Sequence, residues 1–250
     1  MRAISYFAAA SLAATVAGMA PASADVVFTD NTFSDLGNYS GPPSFTSDPG
    51  QASITFSNSS NTLQFVSTFN NNTQGDNVSQ VLVNSTFTYN PSTQGAIVDI
   101  DASVFKAISS NINGGTTTPF GNSFHPTIEQ GGVFYIASLA GPGFFGPGGT
   151  SSTISADDLT AADFLSFDPS TNTTGTANPN FDGGLITLGL MQSSGTGNAG
   201  EAGNITTNYS ALDLTLVTAP LVTAPEPASL ALLGSALVGF CAIRRRRKAV

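Results

Sequence analysis

Ala211-Leu212-Asp213-Leu214-Thr215-Leu216-Val217 alternates apolar and polar side chains one residue at a time from Leu212 to Leu216. In an extended chain successive side chains point to opposite faces, so Leu212, Leu214 and Leu216 share one face and Asp213 and Thr215 the other. The stretch therefore reads as a half-buried strand of an antiparallel sheet. The same period recurs upstream. Residues 51–56 and 63–69 read as strands joined through Asn58-Ser59-Ser60-Asn61. Residues 78–89 set Gln80, Leu82, Asn84 and Thr86 against Val81, Val83, Ser85 and Phe87. Across 96–104, Val98, Ile100, Ala102 and Val104 fall on one face, with Asp99 and Asp101 on the other. Residues 133–137 and 185–190 are shorter apolar runs, and 26–28 is placed beside 211–217 as its partner.

One short helix is expected where Ser155 and Asp158 approximate a capping box. Asp157 and Asp158 would complement its dipole, Leu159, Ala162 and Leu165 would form its apolar side, and Pro169 lies beyond its end. Glycine-rich segments at 141–149 and 193–203 read as loops. No fixed-period repeat emerges, which argues against a solenoid. Many short strands with frequent turns give an all-β chain, a β-sandwich of jelly-roll type, occupying residues 25–217.

Charge is distributed unevenly. Of seven basic residues, Arg2, Arg244, Arg245, Arg246, Arg247 and Lys248 lie at the ends, which leaves Lys106 alone in the body. Sixteen acids less Glu226 leave fifteen there, so the body carries 1 minus 15, or −14, with His125 neutral. Such a surface cannot neutralise phosphates, which excludes nucleic acid as a partner. The single cysteine, Cys241, lies near the C-terminus, so the body holds no internal disulfide.

The two ends read as an export and sorting pair. Arg2, an apolar core from Ile4 to Met19, and the small residues Ala22 and Ala24 form a signal peptide over residues 1–24. Signal peptidase would then leave Asp25 as the mature N-terminus. At the other end, a linker over 218–224 leads into Pro225-Glu226-Pro227, an uncharged apolar run over 228–243 and a basic cluster. The two prolines fix φ and remove two donors, so a helix begins after Pro227 and an extended segment precedes it. Sixteen residues of helix span about 24 Å, short of a ~30 Å hydrocarbon core. Snorkelling arginines cover the difference. The basic end stays cytoplasmic and the acidic body lies outside.

This ordered trio over 225–250 resembles the PEP-CTERM sorting signal, the substrate of the membrane protease exosortase. The resemblance implies export across the inner membrane of a Gram-negative-type bacterium. It further implies a transient membrane anchor through 228–243, processing at the Pro-Glu-Pro motif, and delivery to the cell surface or extracellular matrix. A plain single-pass anchor is the rival reading of the same residues.

The body offers few catalytic reagents. His125 is the sole histidine, placed in a loop-like stretch before Pro126, and no nucleophile motif accompanies it, so the chain reads as a non-enzyme of structural or adhesive type. Zinc would need more His or Cys ligands. Calcium is the candidate metal, at Asp99 with Asp101 or between Asp168 and Asp182, and no other cofactor is indicated. The alternative is a carbohydrate- or calcium-binding module for extracellular polysaccharide, with Tyr39, Tyr89, Tyr135 and Tyr209 as candidate sugar platforms. Thr116-Thr117-Thr118 is a lone threonine run without the repeat that an ice-binding face needs.

Overall fold

The computed structural model describes residues 25–70, 75–113, 120–137, 144–145 and 151–220, all within one compact unit, Ser23–Leu221. The signal peptide, the motif Pro225-Glu226-Pro227, the apolar run 228–243, the basic end and the threonine run 116–118 lie outside the described residues.

The described chain is all-β. Its strands are β1 (Val26–Asp30), β2 (Tyr39–Ser40), β3 (Phe45–Thr46), β4 (Ala52–Ser59), β5 (Thr62–Phe69), β6 (Asn77–Tyr89), β7 (Ile97–Ile112) and β8 (Phe120–Gln130). There follow β9 (Val133–Ala137), β10 (Phe144–Phe145), β11 (Ser151–Leu159), β12 (Phe164–Asp168), β13 (Thr173–Thr174), β14 (Ile186–Thr196) and β15 (Gly203–Thr218). One helical turn, α1 (Pro91–Gln94), links β6 to β7. The first sheet runs β11-β7-β15-β5-β4, with β1 also paired to β15. The second runs β13-β12-β9-β8-β14-β6-β2, with β3 on β6 and β10 on β8. Every pairing between strands is antiparallel.

The inward faces of both sheets meet in one apolar cluster. Leu63, Phe65, Ile100, Val104 and Leu214 come from the first sheet, and Val78, Leu82, Phe124, Ile128 and Leu190 from the second. Each fully buried side chain of this kind contributes about 1.5–3 kcal/mol.

β15 explains how one strand organises the first sheet. Its first half, Gly203 to Tyr209, pairs with β5, and its second half, Leu212 to Leu216, pairs with β1. Between them the register against β7 shifts from Ser210 to Asp213, and Ala211 takes φ 54°. This bulge rephases the strand, so inward residues change from Ile205, Thr207 and Tyr209 to Leu212, Leu214 and Leu216. The expected pairing of 26–28 with 211–217 is present, with Val26 opposite Leu216 and Phe28 opposite Leu214. The β4–β5 hairpin turns on Ser60 (φ 53°) and Asn61 (φ 62°), two left-handed residues as a tight two-residue turn requires.

Three expectations are corrected. No helix covers 155–165. Ser151 to Ala156 pair with β7 instead, because Ile154 and Ala156 pack against the core at a spacing of two. A 3-10 turn follows at Ala161–Asp163, and its capping partners are Thr160 and Asp163, whose carboxylate takes the Thr160 N–H and hydroxyl. Second, Val98 is not a core residue but is 52% exposed, because a register shift between Val217 and Thr218 puts Ile97 inward in its place. Third, His125 and Pro126 lie within β8, in the interior of the second sheet. Proline is tolerated there because pairing with β9 begins only at Thr127, so no ladder bond is lost on that side.

Candidate functional sites

Three places bring polar side chains together. The first lies where β7 meets the irregular end of β11. Asp99 and Asp101 share a face of β7, and the β11 bulge between Ala156 and Leu159 swings Asp158 towards them with φ 59°. The Asp158 N–H donates to Asp101 Oδ1 at 2.8 Å. Carboxylate oxygens of Asp99, Asp101 and Asp158 lie within 4.8 Å of one another. Asp99 Oδ1 is buried with no hydrogen-bond partner among the described residues. Burial raises the Asp99 carboxyl above its ordinary range, and the neighbouring charges of Asp101, Asp158 and Asp25 add to the rise. Oxygen donors crowded in this way suit a hard divalent cation. Asp168 and Asp182 are not part of this group. Asp168 is exposed, with Oδ1 accepting the Ser170 N–H and hydroxyl, which holds its carboxyl below the usual range. The Asp182 N–H caps Asn180 Oδ1. Asp158 was legible only as a helix-dipole residue, because nothing in the sequence signals the bulge that aims it.

The second place is a polar seam between the sheets. Lys106 points inward from β7, 1% exposed, and Nζ donates to the Asn122 carbonyl at 3.3 Å. Burial pushes its ammonium down to about 7. Asn122 Nδ2 donates to Ser194 Oγ at 3.1 Å and to Thr207 Oγ1 at 2.7 Å, which ties β8 to β14 and across to β15. Gln192 Nε2 also reaches Ser194 Oγ, and its Oε1 accepts the Tyr209 hydroxyl.

His125 sits on the opposite face of β8 from Asn122. Its Nδ1 is 2.7 Å from the Ala137 carbonyl, which can only accept, so Nδ1 carries the proton and Nε2 accepts from Ser123 Oγ at 3.1 Å. Serine and imidazole thus stand in the relation of a nucleophile and its base. The third member is a neutral carbonyl, not a carboxylate. Burial lowers the imidazole below its ordinary value, and the nearby Lys106 charge adds to that against the raising effect of the Ala137 bond. An imidazolium formed by taking the serine proton would therefore lack the stabilisation a triad supplies.

The third place is a cleft of about 410 Å³ lined by Gly75, Asp76, Asn77, Gly121, Asn122, Ser123, Ser193, Gly195, Thr196 and Gly197. It lies at one end of the second sheet, where β6, β14 and β8 run side by side and Gly195 stands opposite both Asn77 and Gly121. The candidate sugar platforms are elsewhere and are not exposed. Tyr39, Tyr89, Tyr135 and Tyr209 are 5%, 2%, 9% and 0% exposed, which overturns an aromatic platform built on them. Three of them spend their hydroxyls internally, Tyr39 on Asp30, Tyr89 on the Gly95 carbonyl and Tyr209 on Gln192.

Residues 223–248 match the PEP-CTERM protein-sorting motif, so the tail carries that signal. The motif implies export and sorting to the surface of a Gram-negative-type cell. No curated protein matches the chain. Among solved structures, the chain is similar to the carbohydrate-binding module TmCBM27, from a study of specific mannan recognition, at 12% identity and a TM-score of 0.34. That match covers 78% of this chain and all of the module. The lectin UEA-II complexed with galactose matches at 12% identity and a TM-score of 0.29, over 74% of this chain and 98% of the lectin.

Proposed function

We propose that the protein is an exported, non-enzymatic component of the cell surface or extracellular matrix, of structural or adhesive type, delivered by exosortase. The observation that carries this reading is the sorting motif at 223–248. The arrangement of residues 1–24 agrees with it, as does an acidic body with one lysine. On this reading signal peptidase releases Asp25, the run 228–243 holds the precursor in the inner membrane, and Arg244 to Lys248 keep the end cytoplasmic. The weak Ser123–His125 pair supports a role without turnover.

The body's architecture is inferred to be a jelly-roll sandwich. What supports this is strand order. β5-β15-β7-β11 in one sheet and β6-β14-β8-β9 in the other are the neighbours produced when a folded-over hairpin ribbon wraps into two four-stranded layers. A surface module binding polysaccharide or calcium is the second reading, favoured by the cleft with its polar lining and by the convergence of Asp99, Asp101 and Asp158. Mass spectrometry of both ends of the surface-delivered protein tests the first reading. It should start at Asp25 and lack the residues after the Pro-Glu-Pro motif, whereas a product retaining residues 5–20 would refute export by signal cleavage.

A further inference from the structure

A strand at the edge of a sheet presents unpaired backbone N–H and C=O groups, and folded proteins blunt such edges with short strands, charges, prolines or bulges. Among the described residues, the edges of this fold are blunted with one exception. In the second sheet, β13 and β2 end the strand order and are two residues long, as are β3 and β10. In the first sheet, β1 runs for five residues, with Asp25 just before it and Asp30 as its last residue. β11 carries Asp157 and Asp158 at its bulge. β4 has none of these devices. It runs for eight residues, Ala52–Ser59, in unbroken register with β5. From Gly50 to Gly75 the sequence holds neither a charge nor a proline. No strand pairs with the far side of β4 among the described residues.

The open backbone groups can be named. The Gln51 carbonyl accepts the Asn70 N–H at 2.7 Å, on the β5 side, whereas the Ala52 N–H donates to the Asp48 carbonyl at 3.1 Å. In an antiparallel strand these directions alternate, so the N–H and C=O of Ile54 and Phe56 point away from β5, as Ala52 does. At the other end Asn58 Nδ2 donates to the Thr32 and Phe33 carbonyls, so the chain after β1 reaches Asn58. The open stretch is Ser53 to Ser57, and its side chains are symmetric about Thr55. Ser53, Thr55 and Ser57 are exposed on the outer face. Ile54 and Phe56 point inward, Ile54 buried and Phe56 half-buried with its ring centroid 6.2 Å from that of Phe65.

We infer that β4 is the interface for a second copy of this chain, the two β4 strands pairing antiparallel about a two-fold axis at Thr55 and making the first sheet continuous through both copies. In that register Ile54 of each copy faces Phe56 of the other, and the two exchange both of their N–H···O bonds. Thr55 faces its own counterpart, and Ser53 faces Ser57. Aromatic with β-branched, and hydroxyl with hydroxyl, are the favourable kinds of cross-strand pair. The contact uses the same patch on both copies and closes on itself, as a two-fold dimer requires. Charge selects the edge. A body of net −14 repels its own copies, and β4 lets two of them meet without bringing acids together. Self-pairing of β11 or β1 would set aspartates against each other. A strand of another protein could satisfy the backbone, but the symmetry of the side chains about Thr55 favours an identical partner. The inference rests on the fold alone and is independent of the sorting motif, so either stands if the other fails.

The test is analytical sedimentation of the purified mature protein from about 1 μM to about 1 mM, the range of weak specific complexes. Thr55→Lys sets two ammonium groups face to face at the axis, and Thr153→Lys makes the same change of charge at an exposed position on β11. The parent should dimerise, with Thr55→Lys at least about tenfold weaker and Thr153→Lys unchanged. Cross-linking supplies an independent readout. Cys241 is the single cysteine of the chain, so Thr55→Cys in a Cys241→Ser background carries one thiol. Across the axis the two Cα atoms would stand about 4.5 Å apart, within disulfide reach. Mild oxidation should therefore give a covalent dimer, and Thr153→Cys in the same background should stay monomeric. Thermal melts establish that each variant is folded, and the two cysteine variants carry the test should Thr55→Lys fail to fold. A parent that stays monomeric throughout the series overturns the inference. So does a dimer that Thr55→Lys leaves intact or Thr153→Lys weakens equally, and so does a Thr55→Cys protein that cross-links no faster than its Thr153→Cys control.

Discussion

Replacing Lys106 with methionine should stabilise the protein at neutral pH and remove most of its rise in stability under mild alkali. Lys106 is 1% exposed, and burial lowers its ammonium from 10.5 to about 7. The folded state therefore binds fewer protons than the unfolded state between pH 7 and 10.5, and stability increases with pH across that window. Below pH 7 both states are protonated, and the full cost of burying the charge is borne. Each pH unit within the window is worth at most about 1.4 kcal/mol, so the parent should gain roughly 2–3 kcal/mol between pH 7 and 9. Lys106→Met keeps the length of the stem, removes the charge, and should flatten that segment of the curve. His125 titrates below the window, since burial lowers it from 6.5. Tyr89 and Tyr209 titrate above it, since burial raises both. Chemical denaturation of parent and variant at pH 7, 8 and 9 reads the difference directly. Parallel pH profiles in the two proteins would refute the assignment of a neutral amine to the interior.

Gly203 has φ 138°, and a Cβ there would lie 1.8 Å from the Asn111 carbonyl oxygen, so Gly203→Ala should destabilise by about 1–3 kcal/mol or more in a melt; an unchanged Tm would contradict the β15–β7 register. If Asp99, Asp101 and Asp158 hold calcium, Asp99→Asn should stabilise the protein in chelator, by relieving repulsion, and destabilise it in about 1 mM calcium; a change of the same sign in both conditions would count against a cation there. Purified protein should show no esterase or glycosidase turnover that His125→Ala abolishes, because the imidazole has a carbonyl behind it in place of a carboxylate.

Much of the strand layout was legible because period-two alternation survives wherever one face is buried. Leu212, Leu214 and Leu216 are all within 1% of full burial, and Val26 to Phe28 pair with them as expected. The pattern failed where a bulge changes its phase. Val98 and Ile97 exchange places at one such shift, and Asp158 is turned towards Asp99 at another. The segment 151–165 misled because Asp157, Asp158 and scattered leucine and alanine suit a helix locally, while pairing with β7 decides the outcome. β8 was hidden by Pro126, whose missing donor falls where β9 has not yet begun to pair. The tyrosines were legible as aromatics but their burial was not, since exposure depends on what covers a residue from distant parts of the chain. The cleft was invisible for the same reason. It gathers residues from 75–77, 121–123 and 193–197, three segments with no common motif.

The central claim is that Pro225-Glu226-Pro227 directs processing of an exported protein, beyond marking the edge of an anchor. Its most direct test is the intact mass and membrane fractionation of a Glu226→Ala protein in a host with active exosortase. Hydrophobicity and positive charge suffice for a plain anchor and are untouched by this change. The account predicts an unprocessed precursor in the inner membrane with residues 228–250 still attached. A Glu226→Ala protein with the normal processed mass, delivered normally to the surface, would contradict it and leave a simple membrane anchor.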